Sequence, residues 1–318
     1  MINQDIFRAA TLLRQGELVA IPTETVYGLA ANAFDVEAVA KIFAAKNRPF
    51  FDPLIVHTDS IEKIKSFVAD FPPKAELLAQ NFWAGALTLL LPKTKLIPDL
   101  VTAGLPRVAV RIPKHPLTLA LLRNLDFPLA APSANPFGYI SPTKAEHVAA
   151  QLSEKVALIL EGGECEIGLE STIVGFEGDK TVIYRLGGIS VEEIERIVGS
   201  VEVKKHSSSN PAASGMLESH YAPRKKMFLQ TIETLLEHYK AEEIAVLAFN
   251  TIQNKIPLAN QKILSPQGDY LEAAKNLFDF MRILDEMPQK VIWAELLPEK
   301  SLGRAINDRL KRAATEKL

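Results

Sequence analysis

Short apolar runs, cut by prolines, glycines and polar clusters, set the rhythm of the first two hundred residues. "ELVAIP" (17–22), "PLIVHT" (53–58), "ALTLLLP" (86–92) and "RVAVRIP" (107–113) are each too short for a buried helix and bounded by breakers, which predicts strands. "FPLAAPSAN" (127–135), "VALILEGG" (156–163), "STIVGF" (171–176) and "TVIYRL" (181–186) read the same way. Helical spacing predicts an amphipathic N-terminal helix, "MINQDIFRAATLLRQG". A second is expected in "DVEAVAKIFAAK", with Asp35 as cap and Val39, Ile42 and Phe43 on one face. Further helices fit Pro116–Arg123, Pro142–Leu152 and Val191–Val198, the last opened by a Ser190/Glu193 capping box. So many strands among so few helices predict an α/β chain with a mixed sheet.

The pattern breaks at residue 199. From there to 226 the chain is polar and rich in Ser, Pro and Lys, which predicts a linker. After it, "MFLQ", "IAVLAFN", a long helix over Asp269–Glu286, "VIWAEL" and a final helix near Gly303–Thr315 predict a smaller α/β unit. The expected organisation is therefore a large domain over 1–198, a linker over 199–226 and a small domain over 227–318.

Composition narrows the function classes. The 318 residues are 47% hydrophobic and 23% charged, with net charge −2, so the whole chain is not an electrostatic nucleic-acid binder. The single cysteine, Cys165, can form neither an internal disulfide nor a cysteine zinc site, and no activating partner marks it as a nucleophile. The N-terminus lacks the basic start and apolar block of a signal peptide. No apolar run approaches the ~20 residues a bilayer span needs. A cytoplasmic chain without a membrane span is expected.

There is no P-loop, no dinucleotide glycine fingerprint, no zinc spacing and no nucleophile elbow. Instead, polar clusters sit at strand ends, where side chains far apart in sequence can converge on one crevice. In "AIPTETVYGLA" the apolar run stops at Pro22, and Thr23, Glu24 and Thr25 follow. Helix capping would explain them, and so would hydroxyls facing a small ligand. Lys46 and Arg48 follow a helix C-terminus, which alone favours cations, but Pro49 and Pro53 stiffen the loop as a phosphate site requires. His57 closes a strand. Arg107 and Arg111, four apart on one strand, share a face and could form an anion site or a solvated surface. Ser133 and Asn135 lie in "PSANP". Ser141 before Pro142 reads as a helix cap. Ser171 opens a strand and Arg185 closes the next. Arginine forks, a lysine and hydroxyls together suit a polyphosphate plus a small polar substrate.

In their order and spacing, "PTETVYGL", "KNRP…PLIVH", "VAVRIP", "APSAN", "ESTIV" and "YRLG" resemble the threonylcarbamoyl-AMP synthase family, which has the YrdC-like fold. "HYAP" and "GRAINDRLKRAA" resemble its longer, two-domain form. The resemblance implies a twisted mixed-sheet large domain with a deep cavity and a smaller C-terminal Rossmann-like α/β domain. It implies a reaction joining L-threonine, bicarbonate and ATP, with Mg²⁺ on the triphosphate, into threonylcarbamoyl-adenylate and pyrophosphate. The product would pass to the machinery that transfers the threonylcarbamoyl group to tRNA. By motif, Thr25, His57, Arg111, Ala131 and Ser171 would hold threonine. Arg48, Asp52, Arg107, Ser133, Asn135, Ser141, Arg185 and Tyr221 would hold ATP, and Lys46 and Arg48 would neutralise the leaving charge. Asp52 and Arg107 depart from the family's usual Asn and Thr at those places. Two other readings compete. A carbamoyl-adenylate enzyme of hydrogenase maturation needs zinc-finger cysteines that one cysteine cannot supply. A non-catalytic RNA-binding module would use "PRKK" and "RLKRAA" as its footprint, and weak RNA contact is compatible with either activity.

Overall fold

The computed structural model describes residues 2–204, 213–214 and 220–314. Two stretches of the expected linker, 205–212 and 215–219, lie outside the described residues.

Eleven strands form one mixed sheet. In chain order they are β1 (Ile2–Asn3), β2 (Val19–Ile21), β3 (Gly28–Asn32), β4 (Ile55–His57), β5 (Leu87–Pro92), β6 (Arg107–Arg111), β7 (Leu129–Ala130), β8 (Leu158–Leu160), β9 (Thr172–Glu177), β10 (Lys180–Arg185) and β11 (Val201–Val203). Across the sheet they run β1-β8-β2-β3-β7-β4-β6-β5-β9-β10-β11. Pairings such as β4 with β6 and β5 with β9 are parallel, whereas β2 with β3 and β5 with β6 are antiparallel. The sheet is mixed, as the many strands and few helices predict. β11 corrects the expected linker start: Val201–Val203 pairs parallel to β10, because the exposed edge of β10 offers backbone partners to a segment too polar to signal a strand.

Helices bury the sheet. Helix Val36–Lys46 packs beside β3 and places Val39, Ile42 and Phe43 in the buried cluster that also holds Val56, Leu89 and Val110. Its N-cap is Asp35, as expected, accepting from the Glu37 and Ala38 amides. Helices Ile6–Arg14 and Pro116–Arg123 close another cluster around Leu13, Ile21, Leu121 and Leu129. Each fully buried Leu or Phe contributes roughly 1.5–3 kcal/mol. The expected capping box at Ser190 and Glu193 is present. The helix expected from Pro142 starts later, at Ala145, with Lys144 rather than Ser141 as its N-cap. The Ser141 hydroxyl is engaged elsewhere.

The remaining strands, β12 (Lys226–Phe228), β13 (Ile244–Ala248), β14 (Gln261–Ile263) and β15 (Val291–Ala294), make a parallel sheet in the order β12-β15-β13-β14. Helices Tyr270–Glu286 and Gly303–Ala313 pack on it through Leu277, Phe278, Ile306 and Leu310. The same apolar cluster takes in Val26, Ile140 and Leu169 from the large sheet's loops, so the two units share a core. No described helix is long and apolar enough to cross a membrane.

Candidate functional site

Six strand ends meet at one cavity. His57 ends β4 and Arg111 ends β6, as direct register partners in a parallel pair. Ala131 follows β7, Ser133 bridges to Gly28, and Thr25 lies just before β3. Ser171 precedes β9 and Arg185 closes β10, opposite Ile173 at a register shift. All seven side chains line the cavity, with Arg48 and Tyr221.

At one end of the cavity the arrangement is built around Arg111. Its Nε donates to Gly85 O at 3.1 Å, Nη1 to Thr25 Oγ1 at 2.8 Å and Nη2 to Glu24 Oε1 at 2.7 Å. Glu24 is buried, and its other oxygen accepts from the Lys114 amide at 2.9 Å. Thr23 spends its proton on Val26 O and accepts from the amides of Thr25 and Val26, so it caps its own turn. Thr25 therefore donates to Thr23 Oγ1, at 2.8 Å, and accepts from Arg111. The His57 imidazole is pushed down to about 3 by burial and by the neighbouring Arg111 guanidinium, so it is neutral at physiological pH.

The other end carries Arg48 and Arg185. Arg48 donates to Asp52 O and Pro53 O, pairs with Asp52 Oδ2 at 2.8 Å and reaches Ser214 Oγ at 3.2 Å. Arg185 donates to Ser171 O and Oγ and to Ser214 O, all neutral acceptors. Burial lowers Arg185 to about 10, which leaves it charged at neutral pH. Glu170 accepts from Ser141 Oγ at 2.6 Å and from Arg309 at 3.0 Å. Three buried guanidiniums, Arg48, Arg111 and Arg185, line the cavity; Arg48 pairs with Asp52 and Arg111 with Glu24, whereas the bonds of Arg185 go to neutral oxygens, and in this low-dielectric setting that favours an anionic ligand.

Residues 11–187 match the family model described as telomere recombination, and residues 189–315 match the one described as threonylcarbamoyl-AMP synthase, C-terminal domain. The threonylcarbamoyl-AMP synthase of Bacillus subtilis is 42% identical over 323 residues, covering 98% of this chain and 93% of the relative. The Pyrococcus abyssi synthase is 40% identical over 322 residues, covering 96% and 93%. The chain belongs to the threonylcarbamoyl-AMP synthase family. A solved structure of Pyrococcus abyssi Sua5, described as complexed with L-threonine, superposes with a TM-score of 0.91 at 38% identity, covering 99% of this chain and 97% of the other. The α/β architecture with a large mixed sheet and a smaller C-terminal sheet is that of the family.

Five residues assigned from the synthase motifs stand outside the cavity lining. Lys46 is buried and donates to Ser133 O and Asn135 O at 2.5 Å each, because a buried ammonium must spend its donors on the oxygens in reach. Burial and the Arg48 charge hold it well below the usual lysine range. It pins the "PSANP" loop instead of facing the cavity. Asn135 serves the same loop, donating to Pro136 O and Tyr139 O. Asp52 lies behind Arg48 and orients it. Ser141 donates to Glu170 instead of lining the cavity. Arg107 stands four residues from Arg111, roughly 13 Å along the strand, and donates to Tyr184 Oη at 2.8 Å. The two arginines start from one strand, but only Arg111 is at the cavity end.

Other site residues stand in or beside these motifs, which assign them no role. Glu24 reads as part of a cap, and only its burial beside Arg111 gives it a role. Glu170, Ser214 and His220 also line the cavity. Glu170 opens "ESTIV" and His220 opens "HYAP", but a motif does not say which of its residues face a cavity, and Ser214 stands in none of them. Of the basic runs proposed as an RNA footprint, "RLKRAA" is largely buried, whereas Arg224 and Lys226 of "PRKK" are exposed. Arg224 pairs with Asp285, and Lys225 donates to Leu284 O. Arg309 and Arg312 are buried, and only Lys311 of that run is exposed, paired with Glu299.

Proposed function

We propose that this chain is a nucleotidyltransferase that makes L-threonylcarbamoyladenylate from L-threonine, bicarbonate and ATP, releasing pyrophosphate. The observation that carries the reading is Arg111, held by Gly85 O, Thr25 and Glu24 so that its guanidinium plane is fixed inside a cavity that also presents Arg48 and Arg185. Three of the five N–H groups of Arg111 are engaged in these bonds, which leaves one on Nη1 and one on Nη2 to donate to the threonine carboxylate. Thr25, His57, Ala131 and Ser171 complete that subsite. Neutral His57 and the hydroxyls orient the substrate's hydroxyl and amine without repelling the amine.

Arg48, Ser133, Arg185 and Tyr221 take the nucleotide. Asp52 aligns Arg48, Lys46 and Asn135 hold the Ser133 loop in shape, and Ser141 acts through Glu170. Arg107, at the far end of the same strand, is left as a contact for the outer part of the triphosphate. Mg²⁺ arrives on ATP as part of the substrate. Among the described residues no cluster of His, Cys, Asp and Glu forms a cage for it, and the cavity carboxylates are held by arginines.

The threonine nitrogen attacks bicarbonate carbon, water leaves, and a carbamate forms. A carbamate oxygen then attacks the α-phosphorus in line, and the bond from that phosphorus to the β-bridging oxygen breaks, releasing pyrophosphate. No covalent enzyme nucleophile is needed. The protein works by holding two anionic partners together and by stabilising the charge that builds on pyrophosphate. The adenylate product is a reactive mixed anhydride, suited to a downstream transferase acting on tRNA.

Incubation with ATP, L-threonine and bicarbonate, followed by assay of pyrophosphate and mass spectrometry of the adenylate, tests the reading. Pyrophosphate is expected only when all three substrates are present. An equal rate without threonine would overturn it.

A further inference from the structure

The buried carboxylate of Glu170 lines the cavity, yet it is gripped from the last helix of the smaller domain. Arg309, with no exposed surface, donates from Nε and Nη2 to Glu170 Oε2 at 3.1 and 3.0 Å, and from Nη1 to Leu186 O at 2.6 Å. The other Glu170 oxygen accepts from Ser141. The same guanidinium lies 5.4 Å from the ring centre of Tyr221, which is stacked on Phe278 at 5.5 Å. Tyr221 has φ +67°, a left-handed conformation that a bulky residue keeps only when its surroundings fix it. Arg309, itself paired with Asp308 Oδ2 at 3.0 Å, thus holds the Glu170 wall from outside the cavity and flanks the Tyr221 wall together with Arg312, whose guanidinium lies 4.8 Å from the same ring. A buried ion pair of this kind adds little stability over apolar packing, so fixed geometry is the better account of its presence.

We infer that Arg309 is a positioning residue for the reaction, acting through Glu170 and Tyr221, and that the C-terminal domain takes part in catalysis by this route. The inference rests on the synthase reading above. Arg309→Lys keeps the charge and loses the fork. Its expected effect is a kcat loss of about a hundredfold, the scale of a small misplacement at a reacting centre, with a raised KM for ATP and an unchanged KM for threonine. The threonine subsite around Arg111 has its own supports. Lys311→Ala, on the exposed side of the same helix, is the control and should match the wild type. Glu170→Gln should reproduce the Arg309→Lys pattern, and the double variant should lose little more than either alone.

A kcat loss equal to the fraction unfolded, with both KM values unmoved, overturns the inference, as does full additivity in the double variant. If Arg309→Lys fails to fold, Glu170→Gln is read in its place against the same pattern. If neither folds, the pair is a structural anchor and the inference is wrong. A wild type that turns over alongside an equally active Arg309→Lys rejects the inference alone. A wild type that releases no pyrophosphate rejects the synthase reading.

Discussion

Arg111 owes its usefulness to Glu24. A guanidinium on a buried sheet would swing among rotamers unless its other N–H groups were engaged, and Glu24 fixes one of them at 2.7 Å. Glu24→Gln keeps the shape and removes the charge. It should raise the KM for threonine at least tenfold while leaving the KM for ATP within about twofold, measured by pyrophosphate release. His57 supplies a pH dependence. Its folded value, about 3, lies below the ordinary 6.5, so between these pH values the unfolded chain binds a proton that the folded chain refuses. Stability is therefore full above about pH 6.5 and falls as pH drops toward 3. His220 is shifted in the same direction by its burial. Thermal melts from pH 7 to pH 5 should show a falling Tm, with a shallower slope in His57→Gln. A flat wild-type profile would contradict this. At this scale the sequence picked out hydroxyls and arginines that line the cavity, since Thr25, Arg48, Arg111, Ser171 and Arg185 all stand in recognisable motifs. It could not show that Lys46, Asn135 and Asp52 support the site from behind, because facing and backing residues of one loop share a motif.

Elements bring these residues together through strand ends and tight backbone contacts. Gly187 is where β10's exit passes the Glu170–Thr172 segment. A Cβ there would stand 2.3 Å from Glu170 O and 2.4 Å from the Ser171 carbonyl carbon. Backbone cannot give way as a flexible side chain can, so Gly187→Ala should displace Ser171 and Glu170 together. Loss of ATP turnover with a lowered Tm is expected, and a variant with wild-type kcat and Tm would refute the argument. Apolar runs between breakers revealed the strands near the site, from β4 to β10, capping residues revealed helices Val36–Lys46 and Val191–Val198, and helical spacing revealed Tyr270–Glu286. The alanine-rich β3 is a strand because β2 and β7 flank it, a tertiary cause that its composition hides. Helix Pro73–Phe82 carries helical spacing at Ala75, Leu78 and Ala79 but is short and polar elsewhere.

The whole molecule is tied together across its two sheets. Arg282 of helix Tyr270–Glu286 donates to Ile140 O and Gln151, and Tyr139 donates to Asp285 at 2.7 Å. With Arg309 on Glu170, these bonds bury charged groups between the sheets. Opening the interface would exchange these bonds for water, at a net cost of roughly 0.5–1.5 kcal/mol each, and would expose the apolar cluster the two units share. Scanning calorimetry should therefore show one cooperative transition, and two separated transitions would contradict shared stability. None of this coupling was legible in the sequence, where the smaller unit carries no chemical motif and its arginines resemble a solvated basic run. The central claim is that dispersed strand ends form one site for an amino acid beside a nucleotide. Its most direct test is a crystal structure with L-threonine and a non-hydrolysable ATP analogue. The account predicts the threonine carboxylate on the free fork of Arg111 and the triphosphate between Arg48 and Arg185, with the amine facing the α-phosphate. Threonine bound away from Arg111, or the two ligands in separate cavities, would contradict it.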